Sequence, residues 1–428
     1  MSGPKGLCAA GMALAMIVVG AGRVAAVSPA SSTCSLRRVA VSLPPEAPIA
    51  QLYGVEATSD SDAWAVGYYG RRWGRSIPLA EHWDGATWSA VTVPGLVGTG
   101  SYLSDVSAIS STNVWAIGGV HPYPVRAAAG YDTGSQRPVP ALQYSPLMYH
   151  WNGVRWKRLP LPPMGGKAGF TAIHAVGPGD VWAVGEWLPR TTGERILPLF
   201  MHWDGRSWDV QHPDLFPDAY ETRPSDVTIG PSSTVLAVGL AGGAQQRAMY
   251  FRASPVAGSW IATPEPNWVY HVSGDWGVGG MTPVPDPDDP YSEARTISAY
   301  RLGPSGWDLV ATPPLSTYDP QDSESRFFTL LGTDVVDLDP SNAWLVGNDY
   351  YDSEGVPFTR SHVEHWNGTN WDVVPFPEPS FDNWPSAVDG DVASGAVYVV
   401  GGVRILGDGI PHGTRNRMLP LVFQGGCA

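Results

Sequence analysis

Several things are scarce in this chain, and each shortage excludes a class of function. No Gly-x-Ser-x-Gly elbow and no His-Glu-x-x-His run occurs, so the common serine-hydrolase and zinc-protease signatures are missing. Lysine stands only at Lys5, Lys157 and Lys167, and the formal charge of −14 argues against nucleic acid and anionic membranes as partners. One apolar run, Leu7 to Gly20, is too short for a comfortable membrane span, and no second candidate exists. With Lys5 before it and Val24-Ala25-Ala26 after it, that run reads as a secretory signal over 1–26. Cys8 lies at the start of the run, the wrong end for a lipid anchor. The expectation is a secreted or extracytoplasmic monomer with one domain over 27–428.

Removing the signal leaves two cysteines, Cys34 and Cys427, near opposite ends. In an oxidising compartment such an isolated pair is expected to form a disulfide.

What the chain has in abundance is a repeated phrase. Asp62-Ala-Trp-Ala-Val-Gly67 is followed by His82-Trp-Asp-Gly85 and Trp88. Asn113-Val-Trp-Ala-Ile-Gly118 is followed by His150-Trp-Asn-Gly153 and Trp156. Further copies start at Asp180 and Asn342, and weaker ones occupy 223–264, 268–313 and 386–423. Each Trp-Ala-Val-Gly run is short, β-branched and aromatic, with turn residues before it. The Asp-Gly and Asn-Gly pairs predict hairpin turns with positive φ at both central positions. Four strands in roughly 40–50 residues is the pattern of a propeller blade.

The sequence thus predicts an all-β, seven-bladed β-propeller with four-stranded blades, six or eight being the alternatives. The blades fall at about 50–94, 102–160, 170–213, 223–264, 268–313, 327–377 and 386–423. The last copy lacks its fourth strand, and Leu36-Arg-Arg-Val-Ala-Val-Ser-Leu-Pro44 resembles that missing strand elsewhere. The N-terminal segment is therefore expected to close the ring by pairing into the final blade, pinned by Cys34–Cys427.

The Gly-Gly pairs, the later aromatic strand and the Trp followed by Leu or Val and Pro resemble kelch-type propellers. The chain is more similar still to bacterial exported proteins built from Trp-Ala-Val-Gly and His-Trp-Asp-Gly repeats, over about 37–426. That resemblance implies a fold and little about function, because propellers host many activities. A copper oxidase on a kelch-like propeller would need a Tyr–Cys crosslink, and both mature cysteines are already assigned. The hairpins share Gly-x-x-Trp with sialidase Asp-boxes, but Asp stands directly before Gly here, which breaks that pattern.

His82, His150, His202 and His365 recur on different blades and so cannot converge on one ion. An Arg precedes the third strand of every blade: Arg75, Arg137, Arg195, Arg247, Arg295, Arg360 and Arg417. These guanidinium groups suit carboxylate or phosphate ligands, or else a repeated structural ion pair. Asp105, Asp226 and Asp334 share a place in the innermost strand, with Asp389 close to it. They could hold Ca²⁺, or bond to backbone amides or the arginines; no cofactor is otherwise expected. Tyr102, Phe170, Tyr220, Trp268, Phe327 and Trp384 lie near the channel mouth. Non-repeated loops at Gly119–Leu142, Pro283–Tyr291, Asn348–Glu354 and Gly407–Arg417 are the remaining places for function.

The reading is an exported propeller whose loop face binds an extracellular glycan or protein, with Arg75, Arg137, Arg195, Arg360, Arg417, Tyr102, Trp268 and Trp384 as candidate contacts. Two alternatives stand beside it. One is a glycoside hydrolase or polysaccharide lyase at the channel mouth, which needs only well-placed carboxylates. The other is a structural envelope protein.

Overall fold

The computed structural model describes residues 34–45, 47, 49–70, 76–96, 100–121, 145–190, 195–230, 233–242, 247–253, 259–265, 267–285, 293–313, 325–353, 356–377, 382–405 and 417–427. The expected signal segment, Arg75, Arg137 and most of the four inserted loops lie outside the described residues, as do the side chains of Arg247, Arg295, Phe327 and Arg360.

The fold is an all-β propeller of antiparallel sheets. A representative sheet runs Gly166–Gly177, Asp180–Pro189, Leu197–Trp203 and Trp208–Gln211 from the axis outward, each strand paired to the next. The innermost strands touch in succession: Ile49–Ser59, Gly100–Ser110, Gly166–Gly177, Glu221–Gly230, Val269–Ser273, Ser325–Asp339 and Asn383–Gly390, with the last back against the first. Among the described residues no helix is long and apolar enough to cross a membrane.

The expected seven separate four-stranded blades are not what forms. Hydrogen bonding gives five four-stranded sheets and a single nine-stranded sheet. The cause is a parallel contact, Met418 to Ile49, which fuses the last repeat to the first. The N-terminal segment strengthens that fusion from outside. Cys34–Arg38 pairs antiparallel with Arg417–Cys427, from Cys34↔Cys427 to Arg38↔Phe423. The chain then crosses over, and Val41–Ser42 lies parallel to Trp88–Ser89 of the first repeat. The closing segment is therefore shorter than Leu36–Pro44 in the last repeat, because its second half staples the first repeat instead.

Cys34 and Cys427 form the disulfide. In the last repeat Leu36↔Gly425 takes the register that other repeats fill with a Trp–Trp cross-strand pair: Trp83↔Trp88, Trp151↔Trp156, Trp203↔Trp208 and Trp366↔Trp371. The disulfide lies two residues beyond that pair, where the Asp-Gly or Asn-Gly turn joins the two strands in other repeats.

The residues of the repeated phrase have structural explanations. Its first Trp is buried between neighbouring sheets: Trp64 packs 5.1 Å from Trp151 and 5.3 Å from Trp156 of the next repeat. Trp276 meets Trp366 and Trp371 at 5.1 and 4.9 Å in the same way. Such large aromatic contacts add to the aliphatic burial between sheets. The Gly ending each run is needed for close approach, because the inner strand carries a β-bulge opposite it. A Cβ on Gly118 would sit 2.0 Å from the Tyr102 carbonyl oxygen.

The hairpins differ from the predicted two-residue turn. Gly85 and Gly153 have φ of 91° and 84°, whereas Asp84 and Asn152 do not have positive φ. Asp84 instead accepts N–H bonds from Ala86 and Thr87 at 3.0 and 2.8 Å, capping a four-residue loop.

Candidate functional site

The recurring histidines are scaffold. His82 Nε2 meets Asp62 at 2.6 Å, His150 meets Asn113 at 2.7 Å, and His202 meets Asp180 at 2.9 Å. Each binds the first residue of its own phrase, and His82 and His202 stack on the Trp two residues further on. Of the arginines, Arg195 donates to the Ala219 and Phe216 carbonyls at 2.9 and 2.8 Å and forms a two-point pair with Asp214 at 2.9 and 3.1 Å. It pins the connection leading into the next inner strand, which is the structural ion pair weighed above. Arg417 is exposed and opens the last strand.

The aromatics fall into two groups at the start of the inner strands. Tyr53 meets Tyr102 edge-on at 6.3 Å and Tyr68 at 5.8 Å. Trp268 meets Tyr270 at 6.3 Å. Trp384 is half-buried and covers Gly402, whose added Cβ would lie 2.9 Å from the indole. Phe170 is buried and Tyr220 is 52 % exposed.

One turn of the axis further in lies a ring of polar groups. The bulges align the inner strands so that Gly54, Asp105, Ala172, Asp226, His271, Asp334 and Ala387 share one register, each opposite the residue before the phrase's Gly or its counterpart. Tyr102 precedes Asp105 by three residues, roughly 10 Å along a strand. Each Asp bridges two sheets. Asp105 accepts N–H bonds from Val106 and from Ile173 of the next sheet, both at 2.8 Å. Asp226 accepts from Val227 and Val272 at 2.8 and 2.9 Å, and Asp334 from Val335 and Val388 at 2.9 and 3.0 Å. The expected bonding of these acids to backbone amides is therefore present.

Yet these acids also face one another. His271 Nδ1 lies 3.6 Å from Asp226 Oδ2. Ligand atoms of Asp226, His271 and Asp334 all lie within 4.8 Å of one another. Burial, then the Asp226 charge, pushes Asp105 up to about 7. Burial also carries Asp334 to about 8, with His271 opposing and Asp226 adding to the rise. For His271, burial disfavours the imidazolium, but Asp226, Asp334 and Asp105 outweigh it and raise the group. Two residues deeper, Glu56, His174 and Asp389 form a second tier. Burial, then Asp389 and Asp105, raises Glu56 well above the usual carboxylate range; burial takes Asp389 to about 7. Asp389 Oδ2 accepts the Ala57 N–H at 2.6 Å, joining the last repeat to the first.

His271, Glu56 and His174 escaped the sequence reading. The signal for His271 was available: Trp268-Val-Tyr-His-Val272 aligns with Tyr102-Leu-Ser-Asp-Val106, placing His where Asp stands. A second cluster, Cys34, His365 and Cys427, also lies within 4.8 Å, with His365 Nδ1 3.3 Å from Cys34 Sγ. Its sulfurs are joined to each other, so they are not thiolate ligands.

No family model matches the chain, and no curated protein does. Solved propellers do. YCF48 bound to a D1 peptide is 15 % identical with a TM-score of 0.45, covering 91 % of this chain and 96 % of that one. A protein of unknown function from Dyadobacter fermentans is 11 % identical with a TM-score of 0.49, covering 91 % and 99 %. Trypanosoma rangeli sialidase in complex with 2,3-difluorosialic acid is 11 % identical with a TM-score of 0.49, covering 92 % and 59 %. At such identities the likeness concerns the fold alone.

Proposed function

We propose that this chain is an exported, kelch-like propeller that binds an extracellular glycan at its channel mouth. One observation carries the reading: the half-buried aromatics Tyr53, Tyr102, Trp268, Tyr270 and Trp384 stand over a ring of acceptor groups. Aromatic faces suit the apolar faces of sugar rings, and carboxylate oxygens accept hydrogen bonds from sugar hydroxyls. Among the described residues, exposed large apolar side chains include Ile77, Val154, Val176, Ile261, Leu309 and Val392, which come from different repeats. The Cys34–Cys427 disulfide is compatible with an extracytoplasmic location.

A second reading has its own support. Converging carboxyls with raised pKa values, Asp105 and Asp334, are what a glycoside hydrolase needs for its general acid. Against it, each of these carboxylates already accepts two backbone N–H bonds that hold neighbouring sheets together. Those bonds favour the ionised carboxylate, whereas a general acid must hold its proton.

A glycan array with the mature chain, followed by product analysis on every hit, separates the readings. Binding without product, weakened about tenfold or more by Tyr102→Ala or Trp268→Ala, is the expected result. Release of reducing sugar would instead establish the hydrolase. An array with no hits, beside capture of peptides by the same face, would overturn the glycan assignment.

A further inference from the structure

We propose that the axial ring holds one first-row divalent metal ion, with Asp226, His271 and Asp334 as its protein ligands. The three residues come from successive inner strands, Glu221–Gly230, Val269–Ser273 and Ser325–Asp339, and occupy the same register. Their ligand atoms lie within 4.8 Å of one another, and Asp105 stands beside them. Opposed ligands at about 2.0–2.2 Å from a metal are separated by up to ~4.4 Å, so small side-chain rotations close the set.

Three features distinguish this ring from a chance gathering of acids. First, it contains an imidazole at a position where the matching residues are acids or small residues. A nitrogen donor among carboxylates favours Zn²⁺ over Ca²⁺, which prefers an all-oxygen shell. Second, apart from Asp105, the remaining positions of the register are Gly54, Ala172 and Ala387, which carry small side chains or none. Third, the carboxylates are preset. Each is fixed by two backbone N–H bonds, and each oxygen keeps a lone pair for a cation.

The metal would sit on the same acceptor ring that the proposed function places beneath the sugar, but its test uses no glycan, so failure of one reading is distinguishable from failure of the other. The mature, untagged chain with its disulfide intact is stripped with chelator and titrated calorimetrically with Zn²⁺ alone, then with Ca²⁺. Metal content is counted by elemental analysis. One Zn²⁺ per chain is expected, with binding weakened roughly tenfold or more by His271→Gln and by Asp226→Asn. The control variant His82→Gln should bind as the parent does. Among the described residues His271 accepts no backbone N–H from a neighbouring sheet, so His271→Gln decides the matter even where Asp226→Asn fails to fold. A folded parent chain that takes up no Zn²⁺, or His271→Gln binding Zn²⁺ like the parent, would overturn the proposal. So would Ca²⁺ binding as tight as Zn²⁺ and indifferent to His271→Gln.

Discussion

Two glutamates in the sheet interfaces make the stability of this propeller fall as pH rises. Glu81 and Glu364 are 0 % exposed, and neither carboxyl has a hydrogen-bond partner among the described residues. Glu81 shares its strand face with Leu79 and Trp83, which pack with Tyr398 and Val400 of the last repeat. Glu364 shares its face with Trp366, which packs with Trp276 and Val278. Burial pushes both groups from the usual 4.5 up to about 8. The folded chain therefore keeps these protons while the unfolded chain releases them above 4.5. Stability contributed by the neutral form is complete below about pH 4.5 and declines until about pH 8, by an upper limit of roughly 4–5 kcal/mol per group.

Glu81→Gln or Glu364→Gln keeps the shape and removes the ionisation. Urea unfolding at pH 4.5 should show parent and variant within about 0.5 kcal/mol, since a carboxamide and a protonated carboxyl are similarly costly to bury. At pH 8 the variant should be more stable by about 2–4 kcal/mol, with an unchanged denaturant slope. A gain of equal size at both pH values, or a loss at pH 8, would refute the argument that burial keeps these carboxyls neutral.

Other substitutions test other parts of the account. Cys34→Ser opens a loop with a sequence separation of 393, so thermal melts should fall, with about 6 kcal/mol as the ceiling from chain entropy; an unchanged melt would show that the paired strands suffice alone. Gly118→Ala places a Cβ 2.0 Å from the Tyr102 oxygen, and a destabilisation of about 2–4 kcal/mol is expected by urea unfolding; a neutral result would mean the bulge relaxes freely. Asp62→Ala removes the acceptor of His82 and should cost about 1–3 kcal/mol in the same assay. Tyr102→Ala should lower glycan affinity without changing the thermal melt, and a parallel fall in both would make Tyr102 a packing residue.

The architecture was legible because the phrase repeats residues that each solve a packing problem. Trp64 and its counterparts fill the space between sheets, and the Gly of each run answers a bulge on its neighbour. The fusion of the end repeats was not legible. It depends on a parallel contact between Met418 and Ile49, and on Val41–Ser42 leaving for Trp88, and neither has a local pattern. The axial acids were visible as a shared position, but His271 was hidden by the weak copy that carries it. Asp389 was placed near that position, whereas its pairing with Tyr398 puts it one tier deeper. Glu81 and Glu364 read as ordinary polar residues beside a conspicuous His-Trp, and only their enclosure by neighbouring sheets reveals their cost.

A structure of the mature chain with its tightest glycan tests the central claim most directly. The account predicts sugar rings against Tyr102 and Trp268, with hydroxyls directed toward the ring of Asp105, Asp226 and Asp334. Density for the glycan on the outer strands, or on the face of the Asp-Gly turns with the mouth vacant, would contradict it.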